Sequence, residues 1–90
     1  RKQTEGLGKV EGSDFLITNP EHYAVALHYD AKTMDAPVVR AKGRDHFAQL
    51  LKRKARLVSV PVIPHPPLAR ALYRECKADQ PIPPALYHEV

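Results

Sequence analysis

The sequence predicts an α/β fold: a small mixed β-sheet of about four strands, flanked by helices, in a single compact domain. Three observations predict it. Short apolar, β-favouring runs come first along the chain, then a segment of helical periodicity, another short apolar run and a second helical segment. No long internal repeat divides the chain. Its 90 residues, 43% apolar and 27% charged, suit one small globular domain. A chain of this size buries only about 60 to 65% of its unfolded surface, so the core is modest.

Residues 1–13 are polar, hold three of the four glycines and read as a linker or a frayed helix end. Gly6-Leu7-Gly8 is not a nucleotide loop, because no strand precedes it and no Gly-Lys-Ser/Thr follows. Phe15-Leu16-Ile17-Thr18 and Tyr23 through Tyr29 read as two strands, and Asn19-Pro20 between them is a strong turn signal. Asp30 to Pro37 reads as a loop or short turn, and Pro37 to Lys42 as a third strand stopped by Gly43.

From Arg44 to Leu57 the apolar residues Phe47, Leu50, Leu51 and Val58 recur at helical spacing, leaving Gln49, Lys52, Arg53 and Arg56 for solvent. Val60 to Pro64 reads as a short strand whose prolines suit an edge or an interrupted ladder. Pro66-Pro67 opens a second helix that ends near Cys76 or Lys77, with His65 as a loop or capping residue before it. Pro83-Pro84 repeats that start, but the chain stops before the apolar face of this element is complete.

Composition narrows the function. The single cysteine, Cys76, excludes an internal disulfide and a Cys-rich metal framework, and no neighbouring residue completes a nucleophile around it. The five histidines, His22, His28, His46, His65 and His88, show no i, i+4 pair, which argues against a metal-dependent hydrolase. Net charge is +4, densest at Lys52, Arg53, Lys54 and Arg56. Cations near a helix end meet the dipole favourably, and no interleaved aromatics or recognition motif point to nucleic acid. No apolar run approaches the roughly 18 residues of a membrane helix. The sequence begins at Arg1 and reads as a fragment whose missing N-terminal part carries targeting or membrane segments.

The pattern with the most chemistry in it is Asn19-Pro20-Glu21-His22. Asparagine ordinarily degrades when the following backbone nitrogen attacks its side-chain carbonyl, but proline has no N–H and closes that route. The remaining route is the reverse attack: the Asn19 side-chain nitrogen closes onto its own backbone carbonyl, forms a five-membered succinimide and expels the Pro20 nitrogen. In a free chain this is slow, whereas a turn held between two strands can supply up to about 7 to 11 kcal/mol of the barrier by positioning. His22, as a neutral imidazole, or Glu21 would accept the amide proton or orient a water that does. A solvated turn residue is the alternative role for each.

The segments Ile17-Thr18-Asn19-Pro20, His22 to Leu27, Tyr29-Asp30, Met34-Asp35-Ala36-Pro37, Ala41-Lys42-Gly43, Pro66 to Tyr73 and Ile82-Pro83 form one pattern along the chain. Through them the chain, from Asp14 onward, resembles the cytoplasmic domain of the FlhB/YscU family, the substrate-specificity switch proteins of type III secretion. Tyr29-Asp30 with Met34 to Pro37 looks more like the flagellar branch than the injectisome branch. One position departs from the family pattern: Glu21 stands where the family carries threonine.

The resemblance implies self-cleavage between Asn19 and Pro20, assisted by His22, with the two pieces staying together in one sheet. It requires no cofactor, no metal, no nucleotide and no small-molecule substrate, and it happens once per molecule rather than by turnover. It further implies that residues 1–13 link an N-terminal membrane domain to a switch domain over 14–90, at the cytoplasmic face of the bacterial inner membrane. Its partners there would be other export-apparatus proteins, exported substrates, a length-sensing switch protein and its own membrane domain. The alternative is an uncleaved or stand-alone module that docks export substrates through the sheet edge and the basic helix around Lys52 to Arg56.

Overall fold

Strand β1 (Phe15–Asn19) carries alternate residues to opposite faces, and both faces are covered, so Leu16, Ile17 and Thr18 are all buried. The computed structural model describes residues 7–20 and 22–89. Strand β2 (Tyr23–His28) runs antiparallel to β1, from Phe15 opposite Leu27 to Asn19 opposite Tyr23. Strand β3 (Val38–Arg44) is antiparallel to β2, and the short β4 (Val62–Pro64) is parallel to β1, giving the order β3-β2-β1-β4. The expected four-stranded mixed sheet is therefore present, with β1 and β2 at its centre.

Helix α1 (Leu7–Val10) precedes the sheet, α2 (Asp45–Leu57) links β3 to β4, and α3 (Pro66–Glu75) follows β4. Phe47, Ala48, Leu51 and Ala55 of α2 meet Leu16, Ala24, Ala26 and Ala41 on one face of the sheet. Leu68, Ala69 and Leu72 of α3, with Cys76, meet Ile17, Val25, Leu27 and Val39 on the other. The β2 alternation explains the arrangement: small alanines let α2 approach closely, while Val25 and Leu27 fill the α3 side. Each fully buried leucine contributes about 1.5 to 3 kcal/mol, which makes Leu16, Leu27, Leu51, Leu68 and Leu72 major contributors to the two cores.

A β-bulge lets β3 serve both cores. Ala26 pairs with Ala41 and Leu27 with Val39, leaving Arg40 as the extra residue. Val39 thus faces the α3 layer, although Ala41, two residues on, faces α2.

Gly43 does not stop the strand as expected: β3 continues through it to Arg44. A side chain at Gly43 would overlap the Phe47 ring and touch Leu51, so the glycine is there for close approach of α2, not for a break. The last element is a 3-10 helix over Pro84–Glu89 rather than the start of an α-helix. Within the expected linker, Val10 of α1 is fully buried in the α2 layer, Ser13 Oγ donates to the Lys9 carbonyl at 2.9 Å, and Lys9 pairs with Asp79 at 2.8 Å. Residues 7–13 therefore pack on the domain, and residues 1–6 lie outside the described residues.

The outer edge of β3 is occupied by residues 79–82: Val39 N–H donates to the Gln80 carbonyl at 2.9 Å and Ile82 N–H to the Pro37 carbonyl at 2.9 Å. Lys42 reaches from β3 to the end of α3, where its Nζ donates to the carbonyls of Tyr73 at 2.9 Å and Cys76 at 2.7 Å. A cation there satisfies carbonyls that the helix end would leave unpaired.

Candidate functional site

The site is the β1–β2 turn, Asn19-Pro20-Glu21-His22. Asparagine and proline suit the first two positions of a β-turn, the proline because its ring presets φ and its missing N–H is not needed there. The turn is closed by the His22 backbone N–H, which donates to the Asn19 carbonyl at 2.9 Å. That carbonyl carbon is the one the Asn19 side chain would attack. A donor on its oxygen withdraws electron density and stabilises the negative charge that develops there.

Both flanks of the turn are tied to other elements. On one side the His65 N–H donates to the Thr18 carbonyl at 2.8 Å, beyond the last β1–β4 pair, Thr18 opposite Pro64. His65 is also the N-cap of α3, its Nδ1 accepting from the Leu68 N–H at 3.3 Å, as its position before Pro66 suggests. On the other side the Asp45 N–H, at the start of α2, donates to the His22 carbonyl at 2.8 Å. Tyr23, the residue after the turn, stacks on Tyr73 of α3 with ring centroids 4.7 Å apart and planes tilted by 32°.

Of the expected site residues, Asn19 is half-buried at the end of β1, and its side-chain amide takes no hydrogen-bond partner among the described residues. Pro20 and His22 are exposed, and Glu21 lies outside the described residues. The geometry thus gathers Asn19, Pro20 and His22 in one turn. Sequence reasoning missed His65 and Asp45 as neighbours of this turn. His65 arrives there through the parallel β1–β4 pairing and Asp45 through the β2–β3 register, and neither pairing is encoded locally.

The other candidates lie elsewhere. His28 pairs with Asp14 at 3.0 Å at the far end of β1 and β2, where Asp14 also accepts from the Tyr29 N–H at 2.6 Å. His46 is exposed on α2, and the side chain of His88 lies outside the described residues. Among the described residues no group of three or more His, Cys, Asp or Glu comes together in a way that would hold a metal ion. Lys52, Arg53, Lys54 and Arg56 occupy the C-terminal half of α2, with Arg53 and Arg56 exposed beside Leu57, which is 78% exposed. Among the described residues no helix is long and apolar enough to cross a membrane.

The family model described as FlhB HrpN YscU SpaS matches residues 1–90. The flagellar biosynthetic protein FlhB of Bacillus subtilis is 47% identical over 75 residues, covering 83% of this chain and 21% of that protein. FlhB of Salmonella typhimurium is 46% identical over 81 residues, covering 90% of this chain and 21% of its own length. The chain therefore spans about a fifth of the length of these curated relatives.

The crystal structure of the cytoplasmic domain of FlhB from Shewanella putrefaciens superposes with a TM-score of 0.87 at 42% identity, covering 94% of this chain and 65% of that one. A mutated EscU C-terminal domain superposes with a TM-score of 0.88 at 28% identity, covering 96% and 86%. The four-stranded sheet between helices is thus the fold of these domains, and identity is higher towards FlhB than towards EscU. On these matches, this chain belongs to the FlhB HrpN YscU SpaS family, in its flagellar branch.

Proposed function

We propose that this chain is the cytoplasmic domain of a flagellar export-apparatus component, that it cuts itself once between Asn19 and Pro20, and that the cut changes the surface offered to export substrates. The observation that carries the reading is the 2.9 Å hydrogen bond from His22 N–H to the Asn19 carbonyl, inside a turn tied down on both flanks. In the reaction Asn19 Nδ2 bonds to the Asn19 carbonyl carbon and the bond to Pro20 N breaks. Nδ2 gives up one proton, and the Pro20 nitrogen takes one as it leaves. The His22 N–H stabilises the oxyanion between the two steps, and the His22 imidazole or the Glu21 carboxylate accepts the Nδ2 proton.

The domain works at the cytoplasmic face of the inner membrane, joined through its N-terminal segment to a membrane domain of the longer protein. Its partners are other export-apparatus proteins, exported substrates and a length-sensing switch protein. Intact-mass analysis under denaturing conditions tests the cut. The expected result is two fragments divided after Asn19, the first lighter by one water than a hydrolysis product while the imide lasts, and one unbroken species for Asn19→Ala. An unbroken wild-type chain after prolonged incubation at neutral pH sinks the cleavage reading and leaves family membership untouched.

A further inference from the structure

The junction between β3 and α2 holds an unusual residue beside the turn. β3 ends at Arg44, which is extended (φ −133°, ψ 162°), and α2 begins at the next residue, with no loop between them. Asp45 makes the transition with φ 52°, in the left-handed region that non-glycine residues seldom occupy, though aspartate tolerates it better than most. Gly43 keeps the junction tight by leaving room for Phe47 and Leu51.

This conformation carries the β2–β3 ladder one rung past its last pair, Tyr23 opposite Arg44, so that the Asp45 N–H meets the His22 carbonyl at 2.8 Å. Both backbone polar groups of His22 are then engaged: its N–H on the Asn19 carbonyl, its carbonyl by Asp45. Strained residues persist where the surroundings over-determine them, and an observed outlier beside reacting atoms is a reason to look for a role.

We propose that Asp45 is a positioning residue for the Asn19–Pro20 cut, acting through its left-handed backbone and N–H, not its exposed carboxylate, to hold His22 N–H on the scissile carbonyl. The inference rests on the cleavage reading above. Misplacing a reacting group by about 1 Å can cost on the order of 100-fold in rate, so loosening this rung should be visible in the cleavage rate.

Pulse-labelled 90-residue chain, followed by denaturing mass analysis, gives that rate for wild type and variants. Asp45→Asn and Asp45→Gly, which accept positive φ, are expected to cleave within about twofold of wild type, whereas β-branched Asp45→Val slows cleavage about 10- to 100-fold while the domain stays folded by circular dichroism. An ester in place of the Asp45 amide removes the rung without changing the side chain and should slow cleavage similarly. Folded Asp45→Val or ester protein that cleaves at the wild-type rate overturns the role of Asp45 and leaves the cut standing. Asp45→Asn as slow as Asp45→Val overturns the backbone role and assigns it to the carboxylate instead. An uncleaved wild-type chain overturns the cut and this inference together.

Discussion

The Nζ of Lys42 lies 2.7 Å from the carbonyl oxygen of Cys76, and the same ammonium sits 5.0 Å from the centre of the Tyr73 ring. One strand residue thus closes the C-terminal end of α3 and links the Tyr23–Tyr73 stack to the β3 edge.

Lys42→Met keeps most of the unbranched stem of the side chain and removes its donors. The loss of two charge-assisted bonds to helix-end carbonyls in a half-buried site should destabilise the domain by about 1.5 to 3 kcal/mol. Urea denaturation measures it, and a change below about 0.5 kcal/mol, the size of an ordinary surface substitution, would show that water replaces the ammonium at no cost.

Gly43→Ala tests the close approach of α2 to the sheet. The added methyl meets the Phe47 ring, so overpacking should cost about 1 to 3 kcal/mol, and Phe47→Leu in the same chain should recover part of it. Additive losses in the double variant would show that the methyl is accommodated elsewhere.

The Cys76 thiol is buried and its pKa is pushed above the ordinary 9.0, first by desolvation, then by the neighbouring Glu75, with Lys42 opposing. A raised folded-state value means that the neutral thiol is favoured: this contribution to stability is complete below the ordinary value and is lost as pH rises through the folded one. Native protein at pH 8 should therefore react with a thiol reagent more than about tenfold slower than denatured protein, because the thiolate is both scarce and shielded. Equal rates would place Cys76 at the surface.

The cut domain should remain one particle. β1 pairs with β2 on one side and β4 on the other, so the piece ending at Asn19 contributes an interior strand and its own share of both cores. Size exclusion in native buffer should show a single species with the mass of the whole, and two fragments should separate only in denaturant. Separation in native buffer would mean that the ladders do not outlast the covalent bond.

What the sequence made legible was local. Asn19-Pro20 between two β-favouring runs gave the turn, the spacing of Phe47, Leu50 and Leu51 gave α2, and Pro66-Pro67 gave the start of α3, because each signal lies within one or two turns of chain. The bulge at Arg40 was hidden, since it is defined only by the partner strand, and so was the parallel pairing of β1 with β4, whose members are more than forty residues apart. Gly43 was misread for a related reason: glycine ends strands and also marks close approach, and only the position of Phe47 decides between them. Asn19-Pro20 was visible as a turn, but the groups bonded to its flanks, His65 and Asp45, reach it through sheet register.

The interior place of β1 has a mechanical consequence. The segment entering the sheet from the N-terminal side meets β1 end-on, with ladder bonds running across the strand on both flanks. Tension applied along that segment loads those rungs together, in shear, instead of opening them one at a time from an edge. A nick at the far end of the strand would leave that geometry in place, and a severed strand would still be an anchor able to carry load.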